Sequence, residues 1–106
     1  MRIAVSTVSA LQKWYRKHCN GHWKHHFGVH IETLDNPGWL VKVNLADTEL
    51  AARDFTSIEE NVVDGWPQSG RWMNCFVRDS IWHGAGDENR LEQILSVFLN
   101  WCGEAR

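Results

Sequence analysis

The sequence predicts an α+β class domain over residues 1–106: an antiparallel β-sheet of about four to five strands, with N-terminal and C-terminal amphipathic helices. Stretches with a helical apolar period lie near both ends. Between them, two alternating segments flank the turn Asp35-Asn36-Pro37-Gly38. A chain of 106 residues, 43% of them apolar, can bury a core without disulfide staples.

The first helix is expected over residues 7–19. Leu11, Trp14, Tyr15 and His18 recur at i, i+3, i+4 and i+7, with Val8 one turn earlier. Gln12, Lys13, Arg16 and Lys17 then face outward. Ser6, Thr7 or Ser9 can cap the start, and Asn20-Gly21 can stop the helix. Residues 28–35 alternate Val29, Ile31 and Thr33 against His30 and Glu32, as a half-buried strand does. In the turn that follows, Pro37 presets φ and Gly38 takes the position that needs positive φ. Residues 39–45 return as a strand with Trp39, Val41, Val43 and Leu45 on one face.

Residues 53–62 form a weaker strand, because Phe55 and Ile58 break alternation. Residues 64–71 read as a loop. Residues 72–79 form a strand on propensity, and residues 80–83 continue as a short edge strand. Gly84-Ala85-Gly86 is expected to be a tight turn, with Asp87 capping a helix over residues 88–102. Leu91, Ile94, Leu95, Phe98, Leu99 and Cys102 supply its apolar stripe, and Gly103 ends it. No internal repeat or linker interrupts this order.

Composition limits function. No run approaches 18 apolar residues, so no membrane span is expected, and the N-terminus lacks the apolar stretch of a secretory signal. Three cysteines, Cys19, Cys75 and Cys102, fit a reducing cytoplasm better than a disulfide scaffold. The net charge of −2 hides an asymmetry. Residues 1–31 carry five Lys/Arg, five His and no acid, whereas residues 32–64 carry eight Asp/Glu against Lys42 and Arg53. An acidic surface disfavours nucleic acid and suits a basic protein partner. Seven tryptophans in 106 residues is an unusual number, and those outside the core are available to line a pocket or a binding face.

Three constellations carry chemically suitable residue types. His18, Cys19, His22, His25, His26 and His30 are zinc-type ligands, but their spacing has neither CxxC nor HExxH. The more ordinary reading is solvated or hydrogen-bonded histidines at a helix–strand junction, with a pH-sensitive binding face between the two. Cys19 with His22 is a candidate nucleophile pair, yet a helix C-terminus does not stabilise a thiolate. Glu32, Asp35, Asp47, Glu49 and Asp54 are available for carboxylate-assisted hydrolysis, or form a solvated acidic rim. Lys13-Trp14-Tyr15-Arg16-Lys17 looks like a nucleic-acid patch only locally, since the helical period turns its aromatic residues inward.

Several motifs together resemble a known family. They are Leu11-Gln12-x-Trp14-Tyr15, Cys19-Asn20-Gly21-x-Trp23-x-His25, Gly28, and Glu32-Thr33-Leu34-Asp35-Asn36-Pro37-Gly38-Trp39. Thr48-x-Leu50, Gly84-x-Gly86-Asp87 and the closing Leu91, Ile94-Leu95, Phe98 and Trp101 extend the match over about residues 8–102. This pattern is similar to the immunity protein 53 family of bacterial polymorphic toxin systems. The resemblance implies a cytoplasmic, antitoxin-like protein that binds and blocks a cognate protein toxin without catalysis or a cofactor. It leaves a homo-oligomer open. A basic, nuclease-type toxin domain fits the acidic stretch. The candidate contacts are Trp23, His25, Glu32, Asp35, Trp39, Asp47 and Glu49. One departure is Lys24, where the family usually has an acid, and the Trp66-Pro67 loop is a second place where partner preference can differ. The alternative is a small enzyme or metal-binding module built on Cys19, His22 and His25.

Overall fold

The computed structural model describes residues 6–18 and 28–103. Ser6 begins the first helix, its hydroxyl accepting from the N–H groups of Val8 and Ser9 at 3.0 and 3.3 Å. Helix α1 (Thr7–Lys17) buries Ala10 and Trp14. Val8 and Tyr15 are exposed, so the stripe expected on this helix is narrower and centred on Trp14. The helix ends on His18, and the stop expected at Asn20-Gly21 lies outside the described residues.

Strands β1 (Val29–Leu34) and β2 (Gly38–Asn44) form the expected hairpin, in register from Val29 opposite Val43 to Leu34 opposite Gly38. The role assigned to Gly38 changes, because its φ is not positive. A Cβ at Gly38 would overlap the carbonyl oxygen of Gly86, so close backbone approach requires the glycine. Of the strand expected over residues 53–62, only Ile58–Glu60 (β3) joins the main sheet, and Val62 begins a separate short strand. Phe55 instead turns its ring edge-on to Trp82 and Trp101, and Trp101 Nε1 donates to the Asp54 carbonyl at 2.8 Å.

The loop expected over residues 64–71 contains half of a small hairpin. Strands β4 (Val62–Val63) and β5 (Trp66–Pro67) pair around Asp64-Gly65, whose φ values are 51° and 82°. Positive φ at both central residues is the two-residue hairpin geometry that Asp-Gly favours. Strand β6 (Met73–Arg78) follows as expected.

Strand β7 (Ile81–Gly86) corrects two expectations together. Residues 80–83 are not an edge, and Gly84-Ala85-Gly86 is not a turn. Residues 81–86 lie in a strand at the centre of the five-stranded sheet, whose order is β1-β2-β7-β6-β3 with every pairing antiparallel, and Ser80 belongs to the turn before it. The glycines are there because the strand is crowded. A Cβ at Gly84 would overlap the Trp82 ring and come within 2.5 Å of Ile94 Cγ2. Helix α2 (Leu91–Cys102) starts later than expected, at Leu91 after Arg90, with no side-chain cap. Gly103 closes it in the left-handed region at φ 87°.

Both helices lie on one face of the sheet. Ile94, Leu95, Phe98 and Leu99 of α2 pack with Val41, Val43, Met73, Cys75 and Trp82. Trp14 and Trp82 sit about Phe98, with ring centroids 5.1 and 5.2 Å away. Thr7 Oγ1 donates to Glu92 Oε1 at 2.9 Å, so α1 and α2 begin near each other and run in the same sense. The opposite face carries His30, Glu32, Leu40, Lys42, Phe76 and His83 in half-buried or exposed positions.

Candidate functional site

At the end of the sheet where β2 starts and β7 stops, three connections meet. They are the Asp35-Asn36-Pro37 turn, residues 67–72, and residues 87–90 leading to α2. Between them lies a cleft of about 460 Å³. Asp87 holds this end together. It is 3% exposed, and its carboxylate accepts from Trp72 N–H at 2.8 Å, Asn89 N–H at 2.9 Å and Arg90 Nε at 3.4 Å. Burial pushes the Asp87 carboxyl up, but the two backbone donors and the Arg90 guanidinium outweigh it and hold it below the usual aspartate value. Arg90 also reaches Glu60 at 2.9 Å, which ties β3 to the start of α2.

The connections that line the cleft carry exposed polar residues, and their neighbours add an acid and an aromatic side chain. Asp35 and Glu88 are exposed and make no ion pair among the described residues. Trp66, which precedes the lining residue Pro67, is 74% exposed and is the most exposed large apolar side chain described. An exposed indole and exposed acids on these connections suit a basic protein surface. Trp66, Glu88 and Asp87 are not among the contacts expected from sequence. The Asp64-Gly65 pair was the available signal for Trp66, since it marks a hairpin that projects the residue after it.

The sequence-predicted contacts do not gather at one place. Glu32 is exposed on β1, on the sheet face away from the helices, and Asp35 lies in the adjoining turn. Trp39 is half-buried on the helix side, with Nε1 donating to the Glu88 carbonyl at 3.1 Å. Asp47 and Glu49 lie beyond the other end of β2, about 20 Å away at ordinary strand rise. Asp47 occupies the left-handed region at φ 64°. Glu49 Oε1 meets His18 Nε2 at 2.7 Å, while His18 Nδ1 contacts the Trp14 carbonyl at 2.9 Å. Burial works to raise the Glu49 carboxyl, yet the His18 hydrogen bond and nearby charge hold it below the usual glutamate value. Trp23 and His25 lie outside the described residues, as do Cys19, His22 and His26.

The core thiol of Cys75 is not activated. Cys75 is wholly buried, and burial pushes its thiol up to about 12. His83 stacks on Phe76 at 4.7 Å on the outer sheet face. Burial lowers its pKa, and Lys42 and Arg78 add to the effect against Asp79. Among the described residues, no three of His, Cys, Asp and Glu converge as a metal site. No described helix is long and apolar enough to cross a membrane.

Compared with known proteins, residues 8–103 match the family model described as immunity protein 53. No curated protein and no solved structure matches the chain.

Proposed function

The chain belongs to the immunity protein 53 family, and from that premise we propose that it binds a cognate toxin domain and blocks it without turnover. The family implies an antitoxin-like role in toxin inhibition. The observation that carries the reading is the match over residues 8–103, nearly the whole chain. The cleft end supports it with the hydrogen-bonded Asp87, the exposed Trp66, and the acids Asp35 and Glu88, which make no ion pair among the described residues. A blocker works by rigid complementarity, and these groups supply an aromatic anchor and charge.

The partner in this reading is a basic toxin domain of nuclease type, met in the cytoplasm of the producing bacterium. Nucleic acid and membrane are not partners. Trp23, His25, Glu32, Asp35, Trp39, Asp47 and Glu49 remain the contact candidates. Support is greatest for Asp35 beside the cleft, and Trp66 and Glu88 join it. The test is co-purification with the toxin-like product encoded beside it, followed by a toxin activity assay with and without this protein. A stable complex with lost toxin activity is expected. Failure to bind, or binding that leaves toxin activity intact, would sink the reading for that pair.

A further inference from the structure

One edge of the sheet is β3, three residues long, and the other is β1, six residues long. Among the described residues, no strand pairs with the outer side of β1. Short length protects β3. Residues 29–34 contain no Pro, no Lys and no break in register with β2, and Glu32 is their one acid. His30, Ile31, Glu32 and Thr33 are all exposed, Ile31 by 43%.

The backbone phase of this edge is fixed. Asn44 N–H donates to the Gly28 carbonyl at 3.2 Å, and Leu45 N–H donates to the Ser80 carbonyl at 2.8 Å. With the β1–β2 register, His30, Glu32 and Leu34 therefore aim their N–H and C=O groups at β2. Val29, Ile31 and Thr33 aim theirs outward, away from the sheet.

We propose that β1 pairs antiparallel with β1 of a second copy about a two-fold axis through Ile31, which joins two sheets edge to edge. In this register Ile31 exchanges both hydrogen bonds with the partner's Ile31, and Val29 exchanges both with the partner's Thr33. The three outward residues of each copy are thereby all satisfied. The two isoleucines meet on the helix side. On the other side His30 stands opposite the partner's Glu32 in a close, non-hydrogen-bonded pair, and the symmetry repeats that contact. Glu32 makes no ion pair among the described residues of its own chain.

Other axes fail on chemistry. An axis at Glu32 sets two carboxylates against each other and presents the inward-aimed backbone groups. An axis at Thr33 or Val29 moves pairing partners beyond the strand ends. A self-complementary patch is what a two-fold contact requires, and only the Ile31 axis makes this strand one. None of the residues lining the cleft lies in β1, so the paired edge leaves the cleft open, and of the toxin-contact candidates Glu32 alone lies in β1.

The test is sedimentation of the full chain from a few micromolar to about 500 µM, with residue-resolved amide exchange at both limits. Dimer is expected to grow with concentration. Exchange should slow at Val29, Ile31 and Thr33, but not at His30 or Glu32, whose N–H groups β2 already protects. His30→Glu places like charges opposite each other and should weaken the dimer about tenfold or more. The double exchange His30→Glu with Glu32→His restores a His–Glu pair across the axis and should restore association. Both substitutions are at exposed positions, and matched thermal unfolding confirms that the variants fold. A monomer throughout the range overturns the proposal. A dimer indifferent to His30→Glu, or protection of other amides, also overturns it. So does protection of β1 only when toxin is present, which would make the edge a toxin contact.

Discussion

Gly84 and Asp87 show how single residues determine the centre of this molecule. A side chain at Gly84 would meet the Trp82 ring and Ile94 Cγ2 together, and neither can retreat within a packed core. Gly84→Ala is expected to lower stability by about 1–3 kcal/mol through overpacking, measured by urea denaturation. Asp87→Asn removes a charged acceptor from Trp72 N–H and Asn89 N–H and should cost about 1–3 kcal/mol at neutral pH. The sign of its pH dependence follows from the lowered carboxyl. The folded value lies below the ordinary 3.8, so the contribution is complete above that value and fades as pH falls through the folded one. The gap between wild type and Asp87→Asn should therefore be widest at pH 7 and narrow towards pH 3, in denaturation midpoints measured at both. Neither role is legible from local pattern. Glycines before an acid suggest a turn and a cap, whereas the constraint comes from Ile94, ten positions after Gly84, and Trp72, fifteen before Asp87.

At the scale of elements, long-period features were readable and crowded ones were not. The β1–β2 hairpin follows from alternation around Asn36-Pro37, and α2 follows from its apolar stripe. Strand β7 escapes the same reasoning because Gly84-Ala85-Gly86 has poor strand propensity. Its place is decided by close approach of α2 on one side and pairing to β2 and β6 on the other. The β6–β7 turn is equally tertiary. Arg78 pairs with Ile81 around Asp79-Ser80, and both turn residues sit in the left-handed region, at φ 55° and 61°. A serine is strained there, while glycine adopts the conformation freely. Ser80→Gly should raise stability by roughly 0.5–1 kcal/mol, because relief of strain exceeds the added chain entropy. The Ser80 carbonyl that accepts from Leu45 N–H is unchanged by this substitution, so a higher melting temperature would report the turn itself.

For the whole molecule, the question is which end meets a toxin. Sequence identifies an acidic middle but cannot divide it, because β2 carries Asp35 and Asp47 to opposite ends of the sheet. The two ends differ physically. Glu49 is engaged by His18, which leaves Asp47 as the unpaired acid of its pair. At the other end Asp35 and Glu88 make no ion pair among the described residues, Trp66 is 74% exposed, and Asp87 ties the backbone of residues 72 and 89 together. Binding energy concentrates in rigid aromatic anchors, while peripheral charges act mainly on the rate of encounter. Trp66→Ala is therefore expected to weaken toxin binding by about 2 kcal/mol or more, chiefly through faster dissociation. Asp35→Lys with Glu88→Lys should slow association and flatten its salt dependence. Asp47→Lys should change either rate by less than about twofold. Surface plasmon resonance against the cognate toxin at two salt concentrations separates these effects, with urea midpoints checking that each variant is folded. Equal losses at the two ends would mean that a broad acidic surface, and not the cleft end, recognises the toxin.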